Sequence, residues 1–206
     1  MKSNIIEFEK FKIETDNKVF SPRIDIEIFV QAIQGIIRKD SKILELGTGT
    51  GAISIALAKN YKDISILATD INKFAIKIAK KNSEINKVDK IIDFKESNWF
   101  SNIKDNKYDF IITNPPYIPK ENSSIFSKLS DPKDSLYANK NGLADIYTII
   151  ENSLNYLNNN SYLLIEHAHY QTLILKEYAK KFGFSHIKSQ KDDLGFNRIS
   201  IFLNRF

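Results

Sequence analysis

No cysteine occurs among the 206 residues, which excludes disulfides and thiolate metal sites. The three histidines lack metal-ligand spacing, so no structural zinc or other metal is expected. No apolar run approaches the ~18 residues of a membrane span, and the opening MKSNIIEFEK has neither the apolar core nor the small-residue cleavage site of a signal peptide. The expected location is cytoplasmic, with no membrane partner. Apolar residues at 42% and charged residues at 27% are the ordinary balance of a soluble globular protein, so the chain is not a disordered tail. Its formal charge of +5 permits a nucleic-acid partner but carries little weight, because a modest lysine excess is common in soluble proteins.

Glycine and proline are sparse, at seven and five, and strand and helix patterns alternate between them. IIEFEKFKIETDNKVF has apolar residues two apart (Ile6, Phe8, then Phe11, Ile13) and a turn signal at Asp16-Asn17, the pattern of a β-hairpin. DIEIFVQAIQGIIRK carries Ile26, Phe29, Val30, Ile33, Ile36 and Ile37 at helical spacing. SKILEL then reads as a strand and GAISIALAKN as a helix, and the unit repeats through ISILATD, NKFAIKIAKKNSEI and KIIDFKE. YDFIITN is a fourth strand. An irregular stretch from Pro115 to about Asn141 precedes a helix near 143–157 and the strand SYLLIE, with NYLNNNS as the turn between them. A helix near 169–182 leads into FSHIKSQ and RISIFLN, a closing antiparallel pair. Short, nearly continuous apolar strands between amphipathic helices imply a parallel sheet covered on both faces, a doubly wound α/β fold.

In such sheets ligands bind where strands end, near the switch in strand order. The first exit, LELGTGTGAISIA, places Gly47, Gly49 and Gly51 where a tight turn brings a ligand close to free backbone amides. With Ala52 as the last small residue it fits the permissive dinucleotide fingerprint, and alone it does not choose between NAD and S-adenosylmethionine. The bland alternative is a plain glycine-rich turn. The second exit is Asp70, about twenty residues on, whose carboxylate can accept from both hydroxyls of a ribose or can cap the helix starting near Asn72.

The third exit is TNPPYI. A residue before proline is pushed out of the helical region, so Asn114 is held extended at the sheet edge, and Pro115 and Pro116 bring carbonyls without competing N–H donors. The Asn114 side-chain oxygen and the Pro115 carbonyl can together take both hydrogens of a planar NH₂ group while Tyr117 packs on its plane. Methyl transfer to an amide needs that arrangement, because the nitrogen lone pair must be turned toward the electrophile.

With these residues in hand, the chain resembles S-adenosylmethionine-dependent methyltransferases that act on planar amino groups. Flanking segments narrow the resemblance to the family that methylates the glutamine of bacterial peptide-chain release factors (the PrmC, or HemK, family). VFSPRIDIEIFV is similar to its Pro-Arg-x-x-Thr-Glu segment through Pro22, Arg23 and Glu27, and SDPKDSLYANKNGLADIY to a later segment through Pro132, Leu136, Gly142, Leu143 and Tyr147. LLIEHAHYQ resembles a Glu-x-x-x-x-Gln pattern at Glu166 and Gln171, and DDLGFNR an Asp-x-x-Gly-x-x-Arg ending at Asp192, Gly195 and Arg198. The resemblance implies a mostly parallel seven-stranded Rossmann-like sheet with an antiparallel last strand, behind a short β-hairpin. It also implies S-adenosylmethionine as cofactor, S-adenosylhomocysteine as product and release factors as partners. Carried onto this sequence, the cofactor set is Glu45, Gly47, Thr48, Gly49, Gly51, Asp70, Ile71, Asn98, Trp99 and Asn114, and the catalytic set is Asn114, Pro115, Pro116 and Tyr117, with no metal.

Departures from the family pattern are Ile26 in place of threonine, Asn98 in place of an aspartate, and Ala168 in place of a glycine. The expected organisation is one methyltransferase domain over 1–206, with a hairpin and linker at 1–23 and the catalytic part at 24–206, lacking the helical domain that usually precedes it; a monomer is expected. His167 and His169 read as surface or capping histidines, and the lysine-rich run from Lys73 to Lys90 as a solvated helix face that leaves a weak RNA contact open. Two other readings stand beside the first: an amino-group methyltransferase of adenine or guanine in nucleic acid, and a catalytically idle fold that only binds a partner.

Overall fold

The structure is a computed structural model that describes residues 4–22, 26–104, 107–122 and 131–205; Arg23 of the segment singled out above lies outside them. A hairpin of β1 (Asn4–Glu7) and β2 (Lys12–Thr15) comes first, followed by α1 (Glu27–Ile33). The hairpin turns earlier than its sequence suggests. Phe8 N–H donates to Phe11 O at 2.8 Å and closes the turn, while Asp16-Asn17 makes a separate bend after β2, where Val19 N–H donates to Asp16 O at 3.1 Å. That second bend sends Val19 and Phe20 toward the functional cavity.

The central strands are β3 (Ser41–Leu46), β4 (Ile64–Asp70), β5 (Ile92–Glu96) and β6 (Tyr108–Thr113), with α2 (Ala52–Asn60) and α3 (Lys73–Ile85) as crossovers. Two-residue strands β7 (Ile118–Pro119) and β8 (Tyr137–Ala138) pair beyond β6, then come the single turn α4 (Asn139–Gly142), α5 (Ala144–Ser153), β9 (Leu157–Glu166), α6 (Thr172–Lys181), β10 (Phe184–Lys191) and β11 (Asn197–Asn204). The seven-stranded sheet runs β10-β11-β9-β6-β3-β4-β5. Neighbours from β9 to β5 are parallel, and β11 is antiparallel to both β9 and β10. The chain goes outward from β3 through β4 to β5 and returns to the other side of β3 at β6, so the switch in strand order lies between β3 and β6.

Alternation along these strands builds two cores. Ile43, Phe110, Ile112 and Leu164 face one side with α1 and α2, and Leu44, Leu46, Ile111, Leu163 and Ile165 face the other with α5 and α6. Both faces are covered, which is why the strands read as continuous apolar runs. None of the helices formed by the described residues is long and apolar enough to cross a membrane.

Three local expectations are corrected. α1 ends at Ile33, because Gly35 takes a left-handed φ of 82° and the amides of Ile36 and Ile37 fold back onto Ile33 O at 3.1 and 3.0 Å; the helical stripe therefore overran the helix. NYLNNNS is not simply a turn: β9 begins at Leu157, opposite Tyr108, and the register slips before Phe110 pairs with Tyr162. Asn160, at φ 55°, lies within that irregularity. His167 is fully buried, not at the surface. Its Nδ1 sits 2.9 Å from Ala168 O and its Nε2 2.7 Å from Ser200 Oγ, and burial pulls its pKa down to about 4, so the ring is a neutral core member that donates from Nδ1 to the carbonyl and accepts at Nε2.

Candidate active site

A cavity of about 600 Å³ opens at the carboxyl ends of β3, β4 and β6. Its floor is the turn from β3 into α2. Gly47 and Gly49 have φ of 72° and 57°, a region L side chains rarely enter, and this lets the chain reverse within three residues. Thr48 N–H donates to Thr69 O at 2.8 Å and Gly49 N–H to Asp70 Oδ2 at 2.8 Å, so the turn is tied to the end of the next strand. Gly51 has a different task. It caps α2 from beneath, away from the cavity lining, where an added Cβ would lie 3.0 Å from Ala79 Cβ and push α2 off α3.

Glu45 also lies below the cavity surface. It is 1% exposed, its Oε2 accepts from Thr48 Oγ1 at 2.8 Å and from Ser54 Oγ, and Oε1 has no partner among the described residues. Desolvation, only partly opposed by those hydroxyls, pushes its pKa up to about 7. The folded chain therefore holds a proton that the unfolded chain releases above about pH 4.5; the resulting stability is complete below that pH and is lost as pH rises through about 7. Glu45→Gln removes this dependence. Between about pH 5 and pH 8 the variant is expected to gain about 2–3 kcal/mol on the parent in denaturant unfolding. A gap that stays flat with pH would show that Glu45 titrates normally.

Asp70 ends β4 at the cavity edge. Besides Gly49, it accepts from Asn72 N–H at Oδ1, at 2.8 Å. Burial raises its pKa while these backbone donors hold it down. Capping of α3 falls to Asn72 instead, whose side chain accepts from Phe74 N–H at 2.9 Å. Ile71 and Asn98 stand exposed at the rim, and Trp99 lies over the glycine turn, its ring 3.5 Å from where a Gly47 Cβ would be.

A further wall is Asn114-Pro115-Pro116-Tyr117, leaving β6 beside the end of β3. Asn114 is half-buried, and none of the described groups hydrogen-bonds its side chain. Tyr117 is held at both ends: its hydroxyl donates to Glu166 Oε1 at 3.2 Å, and its carbonyl accepts from Gln171 Nε2 at 3.2 Å. Gln171 also accepts from Ala168 N–H at 3.0 Å, which ties the wall to the end of β9. Asp192, Gly195 and Arg198 build the β10–β11 turn outside the cavity, with Arg198 Nε donating to Asp192 Oδ2 at 2.7 Å.

The fold thus brings eleven of the thirteen residues singled out for the site onto one cavity, leaving Glu45 and Gly51 beneath it. Residues outside the predicted site set complete the lining. Val19, Phe20, Ile26 and Phe29 form an apolar wall, and Asp145 lines the same cavity. They fall within VFSPRIDIEIFV and SDPKDSLYANKNGLADIY, whose family resemblance rests on other positions and did not mark these residues for the site. Ile26, in the place of the family's threonine, is part of that apolar wall.

The switch-point cavity on a seven-stranded sheet with an antiparallel last strand is the arrangement of a Rossmann-like methyltransferase, and residues 10–130 match the family described as methyltransferase small domain. A methyltransferase from Pyrococcus furiosus has the same fold, with a TM-score of 0.72, 22% identity, and coverage of 95% of this chain and 90% of that one. Closer in sequence are two proteins named release factor glutamine methyltransferase. The one from Buchnera aphidicola subsp. Acyrthosiphon pisum is 39% identical over 87% of this chain and 65% of its own length, and the one from subsp. Schizaphis graminum is 39% identical over 94% and 71%. The chain belongs to the release factor glutamine methyltransferase family.

Proposed function

We propose that this chain transfers the methyl group of S-adenosylmethionine to the side-chain amide nitrogen of the glutamine in the Gly-Gly-Gln motif of peptide-chain release factors. One observation carries the reading: Asn114-Pro115-Pro116-Tyr117 and the Gly47–Gly49 turn with Asp70 line a single cavity, leaving neighbouring strands. The kinship to proteins named for that reaction supports it.

The residues fit the cofactor. The turn offers backbone without side chains at Gly47 and Gly49, the Asp70 carboxylate keeps lone pairs beyond those its backbone donors use, and about 600 Å³ is within the range of small-molecule sites. In this reading the glycine turn holds the methionine end, Asp70 the ribose, and Asn98 and Trp99 the adenine. When bound, S-adenosylmethionine supplies a methyl group on a positively charged sulfur and leaves as S-adenosylhomocysteine. Asn114 Oδ1 and the Pro115 carbonyl accept the two amide hydrogens and so aim the nitrogen lone pair at the cofactor side, with the Tyr117 ring against the amide plane. A nitrogen that took up that methyl group would shed one proton to water, without a dedicated base. Carbonyl dipoles stabilise the positive charge that builds on nitrogen.

The test incubates the protein with a radiolabelled methyl donor and, separately, a release factor, the same factor with that glutamine replaced by alanine, RNA and DNA. Label is expected only in the unaltered factor; label in nucleic acid instead would overturn the substrate. For the cofactor, Asp70→Ala should weaken binding by about 1.5–3 kcal/mol, because it removes charge-assisted acceptors and unties Gly49. Calorimetry that finds equal affinity would take Asp70 out of the site.

A further inference from the structure

Between the end of β6 at Thr113 and the start of β7 at Ile118, Pro115 and Pro116 have no N–H, so only the amides of Asn114 and Tyr117 could tie this stretch down from its own backbone. Its remaining handles are carbonyls and side chains. The Tyr117 carbonyl accepts from Gln171 Nε2 at 3.2 Å. The same nitrogen donates its second hydrogen to Asn141 O at 3.3 Å, and Gln171 Oε1 accepts from Ala168 N–H at 3.0 Å. One planar amide, 1% exposed, thus spends both donors and its acceptor on joining the wall, the turn of α4 and the segment leaving β9. Gln171 itself stands behind the wall, outside the cavity lining.

The backbone that Gln171 grips is independently marked as held in place. Lys140, Asn141 and Gly142 have φ of 52°, 57° and 80°, and a left-handed run that includes two residues with side chains persists only where its surroundings fix it. Gly142 meets Tyr117 backbone to backbone: a Cβ there would lie 2.1 Å from Tyr117 O and 3.0 Å from Gln171 Nε2. Strained turn, wall and Gln171 amide therefore share one junction. Glutamine suits it because both partners on the nitrogen side are carbonyls. A glutamate would set a third oxygen against them, and a methionine would leave two buried acceptors and one donor unpaired.

We propose that Gln171 is a positioning residue for methyl transfer: by holding the Tyr117 and Asn141 carbonyls together it fixes the wall that presents Asn114 Oδ1 and the Pro115 carbonyl. The inference rests on the reading that this wall receives the substrate amide. The three hydrogen bonds of Gln171 go to Tyr117, Asn141 and Ala168, and none of these belongs to the glycine turn or to Asp70. Gln171 therefore acts on turnover and not on cofactor affinity, and it acts through its two donors.

Gln171→Glu keeps the side-chain length and the acceptor for Ala168 N–H but loses both donors, whereas Gln171→Met loses all three bonds. Single-turnover methylation of a release factor with saturating S-adenosylmethionine, counted per S-adenosylhomocysteine site found by calorimetry, is expected to slow about tenfold in both, short of the ~100-fold that a 1 Å misplacement can cost. Affinity for S-adenosylhomocysteine should stay within twofold of the parent. A role in folding alone would lower the number of sites and leave the rate per site unchanged. Because Gly142→Ala displaces the same Tyr117 carbonyl, adding Gln171→Glu to it should cost less than a further threefold. A Gln171→Glu rate per site equal to the parent's, a loss of affinity that matches the loss of rate, or effects that multiply in the double variant would each overturn the proposal. Comparing the double variant with Gly142→Ala decides the matter even where Gln171→Met is unstable. A parent chain that binds S-adenosylhomocysteine but methylates no release factor would instead sink the substrate reading, and the proposal with it.

Discussion

Asn114→Ala is expected to lower turnover on a release factor at least ~100-fold while leaving cofactor affinity within about threefold. The asymmetry comes from what the side chain does. Its amide is not taken up by any described group, so the fold does not depend on it, and it lines the cavity where β6 ends. In the proposed reaction its oxygen orients an amide whose nitrogen lone pair is otherwise delocalised into the carbonyl, and that acceptor is used most fully when positive charge gathers on nitrogen. An interaction that strengthens toward the transition state shows in kcat, and losing one such group typically costs about 10²–10³-fold. Single-turnover rates with saturating cofactor would measure it. If calorimetry finds cofactor affinity falling in step with the rate, Asn114 serves the cofactor and its assignment to the substrate is wrong.

A comparable loss is expected from Gly142→Ala, although Gly142 touches neither ligand in the proposed reaction. Its φ is 80°, and an added Cβ would fall 2.1 Å from Tyr117 O and 2.8 Å from Tyr117 C, both backbone atoms that cannot swing aside. Lys140 and Asn141 before it are also left-handed, at φ 52° and 57°, so the turn has little freedom left to absorb the change. The Tyr117 backbone must move, and with it the wall that begins at Asn114. Displacements near 1 Å at a reacting centre can cost about 100-fold, so kcat should fall by that order while the cofactor side, on β3 and β4, keeps its affinity. Stability should drop by about 1–3 kcal/mol, since the strain lies at the sheet edge and not in either core. Turnover within threefold of the parent would mean that the turn yields and that Gly142 is not what holds the wall.

Both arguments start from motifs visible in the chain and end on contacts that are not. The glycine turn, the acid ending the next strand and Asn-Pro-Pro-Tyr were legible because each is a local chemical requirement: positive φ, a carboxylate at a fixed strand end, an extended asparagine before prolines. The parallel sheet was legible for a similar reason, since strands buried on both faces must be apolar throughout. Failures were also local. Gly35 ended α1 because the helical stripe could not reveal the change of direction there, and Asp16-Asn17 bent the chain toward the cavity instead of closing the hairpin. His167 looked like a strand-end surface residue because the sequence does not show Ser200 arriving beside it on β11.

What the sequence by itself determined is the set of elements and the residues at their ends, because φ preferences and burial patterns act within a few residues of one another. Only the tertiary structure decided which ends meet. The sheet order places β6 beside β3 although β4 and β5 separate them in the chain, and this alone brings Asn114 beside Gly47. It also distinguished Gly51 and Glu45, which brace the turn from below, from Gly47 and Gly49, which face the cavity. Gly142 against the Tyr117 carbonyl belongs to the same class. These contacts join residues far apart in the chain through packing between elements, and no pattern confined to either partner carries them.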